Sequence, residues 1–260
     1  MKIAKESWNW IREPAEYRIE ENRIEIVTKP HTDLWQRTYY HFRNDNAPVL
    51  QISTEEKYFS FLVKTEFPES HHRFDQCGVV MYLDSDNWLK GSIEYENEEF
   101  QHLGSVVTNN GYSDWATTEI GADVKSIWYR FSRREDDYCI ECSEDGIRYK
   151  QMRICHMWKG AGEISFGVYA CSPEDSSFRA VFTDMELTEC RWAARDGQAA
   201  DDNPALICPF SFSDWQIRGV GKIFSDCMDS PYTGRILITK GSSDQTDAAA
   251  GQSKNNDKIR

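Results

Sequence analysis

No segment before residue 190 sustains a 3.6-residue apolar period, and this constrains the fold more than any single motif does. Short alternating or apolar runs take its place, closed at brief intervals by turn residues. The extended runs are Arg23 to Val27, Arg37 to Phe42, Val49 to Ser53, Lys57 to Phe67, residues 77–84 and 88–96, Leu103 to Thr108, Tyr112 to Thr118, Ser126 to Arg133, Tyr138 to Cys142, Glu163 to Ala170 and Phe178 to Leu187. Many short strands with turns between them predict an all-β chain. The expected architecture is an antiparallel two-sheet β-sandwich of the jelly-roll kind. Two sheets packed face to face bury one face of each, and a curved outer face makes a groove.

The stretch from Phe74 to Glu94 is the clearest hairpin. Strands flank Asp84-Ser85-Asp86-Asn87, a turn of the residue types that bend a chain readily. Alternation in the second strand puts Trp88, Lys90, Ser92 and Glu94 on one side. Leu89, Gly91, Ile93 and Tyr95 take the other. A face with Trp, Lys and Glu suits a polar ligand better than a core, although an exposed Lys–Glu pair beside rim tryptophans would give the same pattern.

Nine Trp and twelve Tyr exceed what packing usually requires. Amphipathic aromatics are the common platform for sugar rings. The net charge of −13 makes nucleic acid and anionic membrane surfaces poor partners. No apolar run approaches the roughly 20 residues of a membrane span, and no secretory h-region opens the chain. A cytoplasmic protein is expected. The eight cysteines are irregularly spaced, so reduced thiols are expected rather than disulfides.

Metal and catalytic signatures are incomplete. Cys139-x-x-Cys142 has no second knuckle to complete a zinc site. A calcium loop starting at Asp84 would need Gly at its sixth position, where Leu89 stands. His71-His72 reads as a solvated loop, and His156 beside Cys155 as unremarkable. Glycoside hydrolysis needs two carboxyls flanking the scissile bond. Glu94 and Glu96 share a strand face at a spacing of about 7 Å. No catalytic residue, metal or cofactor is assigned.

Six motifs, in order, resemble the DUF1349 family: Asp33-Leu34-Trp35, Phe74-Asp75-Gln76-Cys77-Gly78-Val79, Trp88-Leu89-Lys90-Gly91-Ser92-Ile93-Glu94, Ser105-Val106-Val107-Thr108, Ser113-Asp114-Trp115 and Gly167-Val168-Tyr169-Ala170-Cys171-Ser172-Pro173. The resemblance spans roughly residues 7 to 190. It implies a concanavalin A-like lectin/glucanase fold, and a fungal member of the family is named for a regulatory link with enolase.

Residues 1–190 are therefore expected to form the jelly-roll domain, 191–240 an extension of uncertain structure and 241–260 a disordered tail. Residues 191–260 hold nine basic and nine acidic groups, so the whole net charge lies before them. The expected function is a non-catalytic module that binds a carbohydrate or small polar metabolite. Gln76, Trp88, Lys90, Glu94, Asp114, Trp115 and Tyr169 are the ligand-binding candidates. Trp88 or Trp115 would stack on a ring, while Gln76, Asp114 and Glu94 would bind hydroxyls. Lys90 would bind a hydroxyl or an acidic group. The alternatives are a regulatory partner of a glycolytic enzyme and a cytosolic glycoside hydrolase.

Overall fold

The structure, a computed structural model, describes residues 2–192. The expected extension and tail therefore lie outside the described residues, apart from the first two positions of the extension.

Sixteen strands form two seven-stranded sheets and a small two-stranded one. The first sheet runs β1 (Asn9–Trp10), β6 (Val49–Thr54), β15 (Ile164–Cys171), β8 (Gln76–Asp84), β9 (Asn87–Tyr95), β10 (Phe100–Asn109), β11 (Tyr112–Gly121). The second runs β14 (Lys150–His156), β13 (Asp137–Ser143), β12 (Ser126–Arg134), β7 (Tyr58–Glu66), β16 (Arg179–Glu189), β3 (Arg23–Val27), β2 (Tyr17–Glu20). Every pairing within the sheets is antiparallel. The chain is thus the expected antiparallel β-sandwich. Among the described residues, no helix is long and apolar enough to cross a membrane.

Between the sheets lies an aromatic core in which Phe166 packs against Phe59, Phe61 and Phe131 at ring separations of 4.7, 5.3 and 5.8 Å. Leu89 and Ile93 of β9 join it, as their alternation implies. The first sheet also has a second apolar layer on its outer face. Leu34, Trp35, Ala47 and Val49 pack there on Val80, Tyr82, Trp88, Val106, Tyr169 and Cys171. The central strands are therefore covered on both sides, and β8 reads as a continuous apolar run rather than an alternation.

The cover on that outer face is the small sheet of β4 (Leu34–Gln36) and β5 (Arg43–Asp45). The expected strand from Arg37 to Phe42 is instead the loop joining them. Arg37, Tyr39 and His41 all take left-handed backbone angles, at φ 56°, 63° and 62°. Such angles interrupt an extended run, and non-glycine residues seldom advertise them in sequence. The strand β14 was not anticipated, because its edge position leaves it partly exposed and without a clean alternation.

Two tight hairpins set the register. Asn110 and Gly111 both have positive φ, the pattern of a two-residue turn matched to strand twist. The Asp84 carboxylate accepts from the Asp86 amide at 2.9 Å and from the Asn87 side chain at 2.7 Å, which holds the β8–β9 turn. The six cysteines among the described residues are free thiols. Burial pushes Cys139 up to about 12.

Candidate functional site

The outer face of the first sheet is built by register. β8 and β9 place Gln76 opposite Glu94, Val80 opposite Lys90 and Tyr82 opposite Trp88. β9 and β10 place Lys90 opposite Val106. Residues two apart share a face, so Gln76, Lys90 and Glu94 come together while Leu89 and Ile93 point to the inner core.

These three side chains form a connected polar floor. The Lys90 ammonium donates to the Gln76 Oε1 at 2.7 Å and to the Leu34 carbonyl at 3.0 Å. The Tyr169 hydroxyl donates to the same Gln76 oxygen at 3.0 Å. With two donors on its oxygen, the Gln76 amide can only present Nε2 to the other side. There it donates to Glu94 Oε2 at 3.3 Å and to the Phe74 carbonyl at 3.3 Å. Lys90 is 3% exposed and sits over the Trp88 and Tyr169 rings, at 5.7 and 5.4 Å. An ammonium has three N–H groups. Two are used here, and the nearest carboxylate, Asp33, stands 3.9 Å away. Burial pushes the Glu94 carboxyl up to about 7; Lys90 opposes that rise and Asp33 adds to it.

Above the floor is a cavity of about 290 Å³. Its polar lining includes Asp33, Gln76, Lys90, Glu94, Asn44 and Glu174. Its walls are aromatic: Trp35, Tyr40, Phe42, Phe74 and Trp115. Trp115 reaches across the sheet because Gly104 lies beneath it; a Cβ there would sit 3.1 Å from the indole nitrogen. The indole is 6.3 Å from Trp35 and 5.9 Å from His102, edge-on to both.

The far wall is held by a buried acid. Asp75 accepts from the Ser172 and Ser176 hydroxyls at 2.7 and 3.1 Å and from the His71 and His72 amides at 3.2 and 3.0 Å. That network joins the loop before β8 to the loop carrying Pro173 and Glu174. His71 and His72 hold Asp75 through their backbone amides, and the His72 ring stands 3.3 Å from the Glu174 carboxylate, so His72 is less solvated than expected.

Of the expected ligand residues, Gln76, Lys90, Glu94 and Trp115 line one cavity. Tyr169 lies beneath it, fully buried, and orients Gln76. Trp88 needs correction: it is fully buried in the outer apolar layer and does not line the cavity. It shares a face with Lys90 but lies further along the strand, beneath the cover. Asp114 also needs correction. It neighbours Trp115 in sequence, so it points to the other face of β11, where it pairs with Arg153 at 2.5 Å. Glu96 pairs with Arg73 at 2.8 Å and is not among the cavity's lining residues.

Sequence reasoning missed the cover. Asp33, Trp35, Tyr40, Phe42 and Asn44 all come from the segment that carries β4 and β5. The motif Asp33-Leu34-Trp35 was the available signal. Asp136, Asp137 and His156 also draw together, with donor atoms within 4.8 Å of one another. The His156 ring is already hydrogen-bonded to Asp137 at 2.8 Å.

A model of the family described as Protein of unknown function (DUF1349) matches residues 10–190. The Saccharomyces cerevisiae protein "Regulation of enolase protein 1" is 27% identical over 180 residues, covering 69% of this chain and 88% of that one. A crystal structure of a functionally unknown protein from S. cerevisiae superposes with a TM-score of 0.66 at 26% identity, over 72% of this chain and 98% of that one. A xylan β-1,4-xylosidase from Bacillus halodurans C-125 gives a TM-score of 0.58 at 13% identity, over 73% of this chain and 38% of the enzyme. The last likeness is one of fold alone.

Proposed function

The chain belongs to the DUF1349 family, and from that premise we propose that it is a lectin-like, non-catalytic module whose outer-face cavity binds a carbohydrate or small polar metabolite. One observation carries this reading: a hydrogen-bonded floor of buried Lys90 and Gln76 with half-buried Glu94 lies under an aromatic wall. Alternating polar and apolar surface is what a sugar ring presents, with hydroxyls at its edge and C–H groups on its faces. Lys90 has one N–H beyond its two hydrogen bonds, with the Asp33 carboxylate 3.9 Å away, and Glu94 and Asp33 offer acceptors. Trp115 and Tyr40 give the ring a flat neighbour. A volume of about 290 Å³ is at the small end for ligand pockets, which suits one ring rather than an extended chain within the cavity itself.

Isothermal titration against a panel of monosaccharides and sugar acids tests the proposal. A ligand that binds the wild type should lose measurable affinity in Glu94→Ala and Trp115→Ala. Binding that ignores both substitutions would remove the cavity from consideration.

The name of the yeast relative supports a second reading, a regulatory partner of a glycolytic enzyme. Affinity capture from native extract should then recover such an enzyme; its repeated absence would count against the idea. Hydrolysis has less support. Glu96 is engaged by Arg73 and does not line the cavity, so the Glu94–Glu96 pair is not an acid pair there; the carboxyls that line it are Glu94, Asp33 and Glu174. Free thiols at six described cysteines support a cytoplasmic setting, where thiols stay reduced.

A further inference from the structure

Beside the cavity lies a shallower depression of about 430 Å³, lined by Trp35, Thr38, Tyr39, Tyr40, Trp115 and their neighbours on β11. Trp35, Tyr40 and Trp115 belong to both. The two spaces therefore share a wall. An arc of touching rings runs along that wall: Tyr39 to Tyr40 at 5.0 Å, Tyr40 to Trp35 at 5.5 Å and Trp35 to Trp115 at 6.3 Å.

Tyr39 is 82% exposed and Tyr40 51% exposed. Burial in the fold explains neither. The loop that presents them keeps three non-glycine residues in left-handed conformation, an arrangement that persists only where surrounding contacts impose it. Those contacts are present. The Arg37 amide donates to Phe42 O at 2.8 Å, and the His41 amide donates to Arg37 O at 2.6 Å. The Arg37 guanidinium donates to Gly111 O at 2.7 Å, and the Arg43 guanidinium to Asp86 at 2.9 Å. The aromatic side chains are thus held ready before any ligand arrives, which lowers the ordering cost of binding.

We propose that this shelf is a second ring-binding subsite, continuous with the cavity, so that the ligand is an oligosaccharide of at least two linked rings. The proposal rests on the cavity taking a sugar and extends it. Ser113, the buried polar residue at the shelf, is already engaged: its Oγ accepts from the Gln36 backbone amide at 2.9 Å and pairs with Thr108 Oγ1 at 2.8 Å. Exposed ring faces make up most of the rest of the shelf. Stacking therefore supplies most of the second ring's hold, and the shelf reads chain length more than hydroxyl configuration. The cavity, with its polar floor, reads the identity of the first ring.

The test is calorimetry with glucose, xylose, galactose and mannose beside their α-1,4- and β-1,4-linked di- and trisaccharides. For the sugar that binds, the disaccharide should bind roughly tenfold tighter than the monosaccharide, the scale of one aromatic stacking contact. Tyr39→Ala should erase that gain while leaving monosaccharide affinity within about twofold. Tyr39→Phe should keep the gain. Alanine meets the left-handed backbone no worse than tyrosine does, so the variant should fold. Equal affinity for one and two rings would overturn the subsite while leaving the cavity proposal standing. Equal weakening of both ligands by Tyr39→Ala would overturn it as well. If no sugar of any length binds, the cavity proposal falls and the subsite falls with it.

Discussion

Arg133 and Lys90 are both buried cations, at 0% and 3% exposure, yet they are held in opposite ways. Arg133 donates to four backbone carbonyls: Glu135 at 2.7 Å, Glu56 at 2.9 Å, Gly160 at 2.9 Å and Gly162 at 2.7 Å. Its planar fork ties three loop segments at one end of the second sheet and faces no cavity described above. Lys90 donates to one carbonyl and one side-chain amide, then lines a cavity with a donor to spare. A cation spent on backbone carbonyls away from the cavity closes a structure, even with one of its five N–H groups left over. One that lines a cavity, backed by aromatic rings and flanked by acids, leaves an interaction for something that is not yet there. Arginine suits the first task through its five fixed donors, and lysine the second as a compact charge.

Three substitutions would break or sharpen this contrast. The largest effect is expected at Arg133→Met. Four hydrogen bonds would be lost at about 1 kcal/mol each, with Gly160 O keeping the Tyr138 hydroxyl, a loss on the order of 4 kcal/mol. Urea unfolding would show it as a large fall in midpoint, and a fall below about 1 kcal/mol would mean that the carbonyls find water instead.

Lys90→Met comes next. Methionine keeps most of the volume over Trp88 and Tyr169 and removes two hydrogen bonds, at a cost of roughly 1–2 kcal/mol. Sugar binding should vanish while the fold survives. Sugar binding retained in the folded variant, or a stability loss as large as that of Arg133→Met, would invert the assignment and make Lys90 the structural cation.

The third substitution, Glu94→Gln, is read through pH rather than at a single condition. A carboxyl raised from 4.5 to about 7 on folding binds its proton more tightly in the folded state. Its favourable contribution is complete below about 4.5 and is lost as pH rises toward about 7. Glutamine imitates the protonated form. The variant should therefore gain on the wild type in thermal melts across that window and track it above. Parallel melting curves from pH 4 to 8 would show that the cavity keeps Glu94 well solvated.

Much of the sandwich was legible because apolar alternation and turn residues are local signals. Phe59, Phe61 and Val63 read as one face and lie together in the inner core. The Lys90–Glu94 face was legible for the same reason. Alternation gives a side but not a depth, which is why Trp88 read as a ligand platform and proved to be covered. The cover itself was hidden. Arg37 to Phe42 has the composition of a strand, and only left-handed angles at residues without glycine turn it into a loop. Asp114 was misplaced by treating neighbours in sequence as neighbours in space, when one residue along a strand is a change of face.

The cover also fixes when the site can exist. The Lys90 contact with Leu34 spans 56 positions, Tyr169 reaches Gln76 across 93, and Ser172 reaches Asp75 across 97. Contacts this distant close only after long loops have paid their entropy, so they belong to the slow end of folding. The segment that roofs the cavity leaves the second sheet at β3 and enters the first at β6. A binding-competent floor and roof therefore require both sheets in place. Ligand binding would then report on completed assembly, and a saturating ligand would raise the melting temperature of the entire sandwich rather than of one part.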